Sequence, residues 1–236
     1  MSSGSFHAST LSYGLKNFGY TTAEAIADLI DNSIEANAKN IEIIFFEGSA
    51  NPYVAIIDDG DGMLKDDLEN AIKIKKTIDS NSDNIKLSKF GFGLKTASFS
   101  QCSNLVIITK KKNQTNFKVI DSNLQVVETN LVSLLKKFPN IEKKFNEICS
   151  NSGTAVIWEN LHDNLTGKNS GIKRSHAIFY EKGNIFSKHA STHFHNFLDK
   201  VKISFNGQPI RNWDPFNESL KSLKIFEEKK IKLGDF

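Results

Sequence analysis

Asp28 and Asn32 stand four residues apart in the run Ala27-Asp28-Leu29-Ile30-Asp31-Asn32-Ser33. On a helix of 3.6 residues per turn, that spacing puts a carboxylate and an amide on one face, one turn apart. An amide oxygen at Asn32 can complete a Mg²⁺ shell otherwise made of phosphate oxygens and water. A carboxylate at Asp28 can orient an attacking water and take its proton. The plainer reading of the same residues is a solvated acidic face. Glu24, one turn earlier, is explained by a capping box with Thr21.

Two glycine-bearing runs follow. In Asp58-Asp59-Gly60-Asp61-Gly62-Met63 the carboxylate of Asp58 can accept a hydrogen bond from an amino group such as that of adenine. Gly60 and Gly62 would let the backbone approach the base closely. A tight polar turn after a buried strand fits the same residues. A Ca²⁺ loop fits less well, because the downstream Glu spacing of an EF-hand is missing. Gly91-Phe92-Gly93-Leu94-Lys95-Thr96 is neither a Walker A loop nor a GxGxxG fingerprint. A simple helix entry accounts for it. A glycine loop opening a helix also offers N–H groups and a positive dipole end to phosphates, with Lys95 and Thr96 adding a cation and a hydroxyl. Gly153-Thr154-Ala155-Val156 is, by itself, only the start of a strand. His189, His193 and His195 lack a carboxylate or cysteine at ligand spacing, which favours a helical surface or core edge over a metal site.

The elements that must position these residues are legible from periodicity. Thr21-x-x-Glu24 starts a helix reaching about residue 37, with Ile26, Leu29, Ile30 and Ile34 as its apolar face. Strands are expected at 41–46 and 53–57, the second running straight into Asp58. A helix over 65–75, a polar stretch over 77–84 and a helix over 90–101 come next. Strands follow at 104–110, 116–120 and 124–128, then helical residues 131–148 broken near Pro139, then a buried strand over 153–158. Past a glycine-bearing linker at 167–171, helical residues run to 200. A hairpin turns at Asn206-Gly207, joining 201–205 to 208–210.

Composition bounds the class. The chain has 236 residues, 39% hydrophobic and 24% charged, enough apolar residues for a sizeable core. The first twenty residues lack an apolar stretch of signal-peptide type. No apolar run nears the roughly 20 residues that span a bilayer. Cys102 and Cys149 lie far apart without CxxC spacing, which argues against a disulfide scaffold or zinc site and fits a reducing, cytoplasmic setting. A net charge of +3 in short lysine runs permits nucleic-acid contact without requiring it.

Each run is ambiguous alone, but their order is specific. ADLIDNS, then DDGDGM, then FGFGLKTAS, then GTAVIW resembles the superfamily that unites gyrase, the heat-shock chaperone, histidine kinases and MutL. The resemblance is strongest to its MORC-like and MutL-like branch; it covers residues 21–161 and extends more loosely over 195–216. It implies the Bergerat fold, an α/β two-layer sandwich with a mixed, mostly antiparallel sheet covered on one face by helices. It implies a domain over 1–166 and an extension over 167–236 leading toward a transducer-like domain. Asn32 would bind Mg²⁺ and the phosphates of ATP, and Asp58 would hold adenine, with Thr154 supporting it through a water. Met63 and Val156 would wall the base. Gly91, Gly93, Leu94, Lys95 and Thr96 would surround the phosphates, and 77–87 would form a lid. The resemblance further implies an ATP-driven switch that associates as a homodimer and acts on DNA, in repair, restriction or phage defence.

Two departures bear on activity. The family's general base is Glu, four residues before the Asn, whereas Asp28 stands there in this chain. One methylene less retracts the carboxylate by roughly a bond length, a scale of misplacement that costs orders of magnitude in rate. The phosphate-sensing lysine of gyrase-like and MutL-like members comes from a following domain, which this chain is expected to stop short of. The expectation is a chain that binds nucleotide better than it turns it over, or in the limit a nucleotide-binding scaffold.

Overall fold

The computed structural model describes residues 14, 19–47, 51–73, 89–166 and 172–213. The helix carrying Asp28 and Asn32, α1, spans Thr22–Glu35. Thr21 closes its N-terminus with the anticipated capping box: the Glu24 N–H donates to the Thr21 hydroxyl, and the Thr21 N–H donates to the Glu24 carboxylate at 2.8 Å. Ala23, Ile26, Ala27, Leu29 and Ile30 are buried along one stripe. At the other end Asn37 adopts φ 64°, the Ala38 N–H donates to the Ser33 carbonyl and the Asn37 N–H to the Ile34 carbonyl. This is a Schellman ending with asparagine in the left-handed position.

The strands are β1 (Asn40–Phe46), β2 (Tyr53–Asp58), β3 (Cys102–Lys111), β4 (Gln114–Asp121), β5 (Gly153–Leu161), β6 (Lys202–Phe205) and β7 (Gln208–Pro209). They form one sheet in the order β4-β3-β5-β2-β1-β6-β7. Only the β1–β6 pair is parallel, so the sheet is mixed and mostly antiparallel. Helices α2 (Lys65–Ile72) and α3 (Lys89–Phe99) follow β2. Helices α4 (Leu131–Lys137) and α5 (Pro139–Ile148) precede β5. A single turn, α6 (Asp163–Thr166), and the long α7 (Ile172–His193) follow it. No helix among the described residues is long and apolar enough to cross a membrane.

Side chains alternate across the central strands, which separates two cores. Val54, Ile56, Leu105, Ile107, Val156 and Trp158 face α1, α3 and α7. Tyr53, Ala55, Ile57, Val106, Ile108 and Ile157 face the opposite side, where Leu134, Phe138, Ile141 and Phe145 cover them. The two-layer α/β architecture is therefore present, and α4 and α5 add partial cover on the second face. Their separation follows from Pro139, which sits at the first position of α5, where its missing N–H is harmless.

Some expectations need correction. Residues 124–128 do not form a strand. Asp121 Oδ1 accepts the N–H groups of Asn123 and Gln125, and Leu124 takes φ 63°, so the chain reverses tightly and returns through a single bridge, Ile120 to Val126. The last helix stops at His193, and 194–200 continue as turns, with the Phe197 N–H on Phe194 and the Lys200 N–H on Phe197. The hairpin turns at Asn206-Gly207 with φ 46° and 77°, the sign pattern of a type I′ turn. It extends the sheet that holds β2. The expected linker at 167–171 and lid at 77–87 lie outside the described residues.

Candidate functional site

Asp58 ends β2 with its side chain on the α1 side of the sheet and only 5% of its surface exposed. The Gly60 N–H donates to its Oδ1 at 2.9 Å and the Ser33 hydroxyl to its Oδ2 at 3.0 Å. Strand register places Thr154 opposite Asp58, and Thr109 opposite Thr154. Paired residues share a face, so the three side chains lie abreast on three strands. The Thr109 hydroxyl donates to the Gly153 carbonyl at 3.1 Å and accepts the Met63 N–H at 2.8 Å. The two threonine oxygens are 3.1 Å apart. With the Thr109 proton committed to Gly153, Thr154 is the donor between them, and its own oxygen keeps accepting capacity. Met63 and Val156 pack at the edge of the same core. Burial pushes the Asp58 carboxyl up to about 6, against the pull of the Gly60 N–H and the Ser33 hydroxyl.

The turn after Asp58 is clamped to two neighbours. A Cβ at Gly60 would lie 2.7 Å from the Ala36 carbonyl oxygen, and one at Gly62 would lie 1.9 Å from that of Lys110. Gly62 also has φ 61°. The close approach these glycines permit is thus to protein backbone, at the end of α1 and on β3. The other two acids serve the protein. Asp59 accepts the N–H groups of Lys39 and Asn40 and the Asn40 amide. Partial burial opposes its ionisation, but these donors outweigh it and hold its carboxyl below the usual value. Asp61 accepts from the Asn37 amide at 3.0 Å, and its N–H caps the Ala36 carbonyl.

Beside this floor runs α1, whose Ser33 hydroxyl reaches Asp58. Asn32 is exposed and Asp28 half-buried, one turn apart. The Tyr20 hydroxyl donates to Asp28 Oδ2 at 2.7 Å. Gly91 and Gly93 lie within α3. No described atom comes within 4 Å of a Cβ built at Gly93, so neither backbone conformation nor packing among the described residues asks for glycine there. Leu94 packs against the core and Thr96 is buried. Lys95 is 2% exposed, and its ammonium donates to the carbonyl of Lys73, at the end of α2, at 3.0 Å. Burial pulls its pKa down to about 8.

Register and turn therefore bring Asp58, Gly60, Gly62, Met63, Thr154 and Val156 together, with Asp28 and Asn32 on the helix beside them. Lys95 and Thr96 are directed into the protein. Three participants escaped the sequence reading. Ser33 and Thr109 were detectable as polar residues inside apolar periods, after Ile26-Leu29-Ile30 on the helix and after Leu105 and Ile107 on the strand. Tyr20 lies before the helix and follows no period.

A family model described as histidine kinase-, DNA gyrase B-, and HSP90-like ATPase matches residues 20–155, more than half of the chain. The chain belongs to this ATPase family. Its relatives include DNA mismatch repair protein MutL of Buchnera aphidicola, 30% identical over 199 residues that cover 83% of this chain and 31% of that protein. ATPase morc-1 of Caenorhabditis elegans is 32% identical over 144 residues, 61% of this chain and 17% of that protein. The chain thus spans less than a third of the length of either relative. The matched segment of the family contains α1, the Asp58 turn, α3 and the start of β5 with Thr154, that is, every element of the floor and rim.

Proposed function

We propose that this chain binds ATP between the Asp58 floor and the outer face of α1, and hydrolyses it with Mg²⁺ as a conformational switch. The observation that carries this reading is the floor: a buried carboxylate abreast of two threonine hydroxyls, beside a helix with an aspartate and an asparagine one turn apart, in an ATPase family. Asp58 keeps lone pairs beyond those taken by Gly60 and Ser33, which suits the amino group of adenine. Thr154 supports the base through a water, and Met63 and Val156 flank it. Asn32 presents its amide oxygen to Mg²⁺, which when bound neutralises charge on the phosphate oxygens. Gly93, where no described atom lies within 4 Å of a Cβ built on it, suits close approach of phosphates to the helix backbone. Gly91, Leu94 and Thr96 belong to the same segment. Lys95 bonds the Lys73 carbonyl, so a phosphate contact requires it to change partner.

Asp28 orients the attacking water and accepts its proton. Nucleotide binding favours association of two copies, and hydrolysis releases them. Similarity to a DNA mismatch repair protein supports action on DNA. Phosphate release by the wild type and by Asp28→Asn tests the catalytic part. The expected outcome is a loss of roughly 10²- to 10⁴-fold in Asp28→Asn with ATP affinity retained. Wild-type release no faster than that of Asp28→Asn would leave a nucleotide-binding scaffold and sink the hydrolytic reading.

A further inference from the structure

We propose that Tyr20 is the positioning residue for the Asp28 carboxylate, and that Gln101 holds Tyr20 in place. The inference rests on the reading of Asp28 as the group that orients water. An aspartate on an exposed helix face has several rotamers, and only one aims its oxygen at a given point. The Tyr20 hydroxyl, 2.7 Å from Oδ2, selects among them and leaves Oδ1 with no described protein partner. The phenol keeps its proton to about 12, first because it is bonded to Asp28 and then because it is partly buried. It therefore stays a donor across the neutral range.

Tyr20 is itself fixed from α3. Gln101, two residues past the end of that helix and fully buried, donates from Nε2 to the Tyr20 carbonyl at 3.3 Å and to the Ser100 hydroxyl at 2.9 Å. Its Oε1 accepts the Thr22 hydroxyl at 2.8 Å. Thr21, between the two, is locked by the capping box. A connected set of bonds thus runs from the end of the helix that contains Gly91 and Gly93, through Gln101 and Tyr20, to Asp28. In a chain whose base is a methylene shorter, one fixed oxygen restricts the search of the other.

Tyr20→Phe keeps the ring and removes the donor. The expected result is a fall in kcat of about tenfold with KM and calorimetric ATP affinity within about twofold. In an Asp28→Asn background the same substitution should change residual turnover by less than about twofold, because Tyr20 acts through the carboxylate. A second readout needs no activity: in Asp28→Asn the Tyr20 phenol should titrate nearer the ordinary tyrosine value of about 10 than the wild-type value of about 12. An unchanged kcat in Tyr20→Phe, an equal loss in both backgrounds, or an unmoved phenol overturns the positioning role and leaves Asp28 its own. Full turnover in Asp28→Asn overturns the reading of Asp28 and this inference together.

Discussion

At Asp58 the fold settles everything: both carboxylate oxygens take protein donors, the neighbouring threonines are set by register, and the glycines that follow are pinned against Ala36 and Lys110. At Asp28 and Asn32 the fold settles much less: α1 fixes where the side chains start, and one phenol touches one of them. The floor is part of the core, so its chemistry cannot change without loss of stability. The rim stands on a helix that would fold much the same with other polar residues there. On that contrast, exchange of Asp28 for another acid should leave the helix intact and show its effect in turnover.

Paired substitutions sharpen that contrast. Asp58→Ala should weaken ATP binding by about 10- to 150-fold, and should also destabilise the fold by about 1–3 kcal/mol through the stranded Gly60 N–H, whereas the Ser33 hydroxyl keeps the Leu29 carbonyl as an acceptor. Asn32→Ala should abolish Mg·ATP binding while stability changes by less than about 0.5 kcal/mol. Calorimetry for binding and urea denaturation for stability separate the two. Equal destabilisation by both would erase the distinction between floor and rim.

The pH dependence probes the floor most strongly, with Asp31 and Glu42, also raised by burial, adding to the stability slope in the same sense. The Asp58 carboxyl rises from 3.8 to about 6, so between those values the native state holds a proton that the unfolded chain has released. Stability from this group is complete below about pH 4 and is lost as pH rises through about 6, by on the order of 3 kcal/mol. ATP affinity should move the other way over the same window, since the adenine amino group is best accepted by the ionised carboxylate. Urea midpoints and binding isotherms across pH 4–7 check both slopes.

Two glycines should give stability changes of opposite sign, the Gly93 change being among the smallest expected. Gly62→Ala meets the Lys110 carbonyl and a left-handed φ, and should cost about 1–3 kcal/mol. Gly93→Ala meets no described atom and sits within a helix, so it should raise stability by roughly 0.5–1 kcal/mol. If the space beside Gly93 receives phosphate, that more stable variant should bind ATP less well. A variant that gains stability and keeps full affinity would detach Gly93 from the site.

Much of this was readable beforehand, for identifiable reasons. The capping box, the apolar stripe of α1 and the Asn206-Gly207 turn are local signals, and each appears where its residues stand. The order of the glycine runs also located Asp58 and Thr154. What escaped depends on register and on distant pairs: Thr109 joins the floor because β3 pairs with β5, and Tyr20 reaches Asp28 because Gln101 lies beneath it. The extra strand expected at 124–128 failed because Asp121 gathers the following N–H groups into a turn. The neighbours of Lys95 in sequence mark it as a cation near phosphates, but do not reveal its bond to the Lys73 carbonyl, which depends on how α2 and α3 pack.

The central claim is that Asp58 reads adenine, and nucleotide choice tests it most directly. Where adenine offers an amino donor, guanine offers a carbonyl acceptor, which would face the Asp58 carboxylate unpaired. Titration of the wild-type chain with ATP and then GTP, each with Mg²⁺, should give saturable one-to-one binding of ATP and GTP binding weaker by at least about tenfold. No heat with ATP, or equal affinity for the two nucleotides, would contradict it.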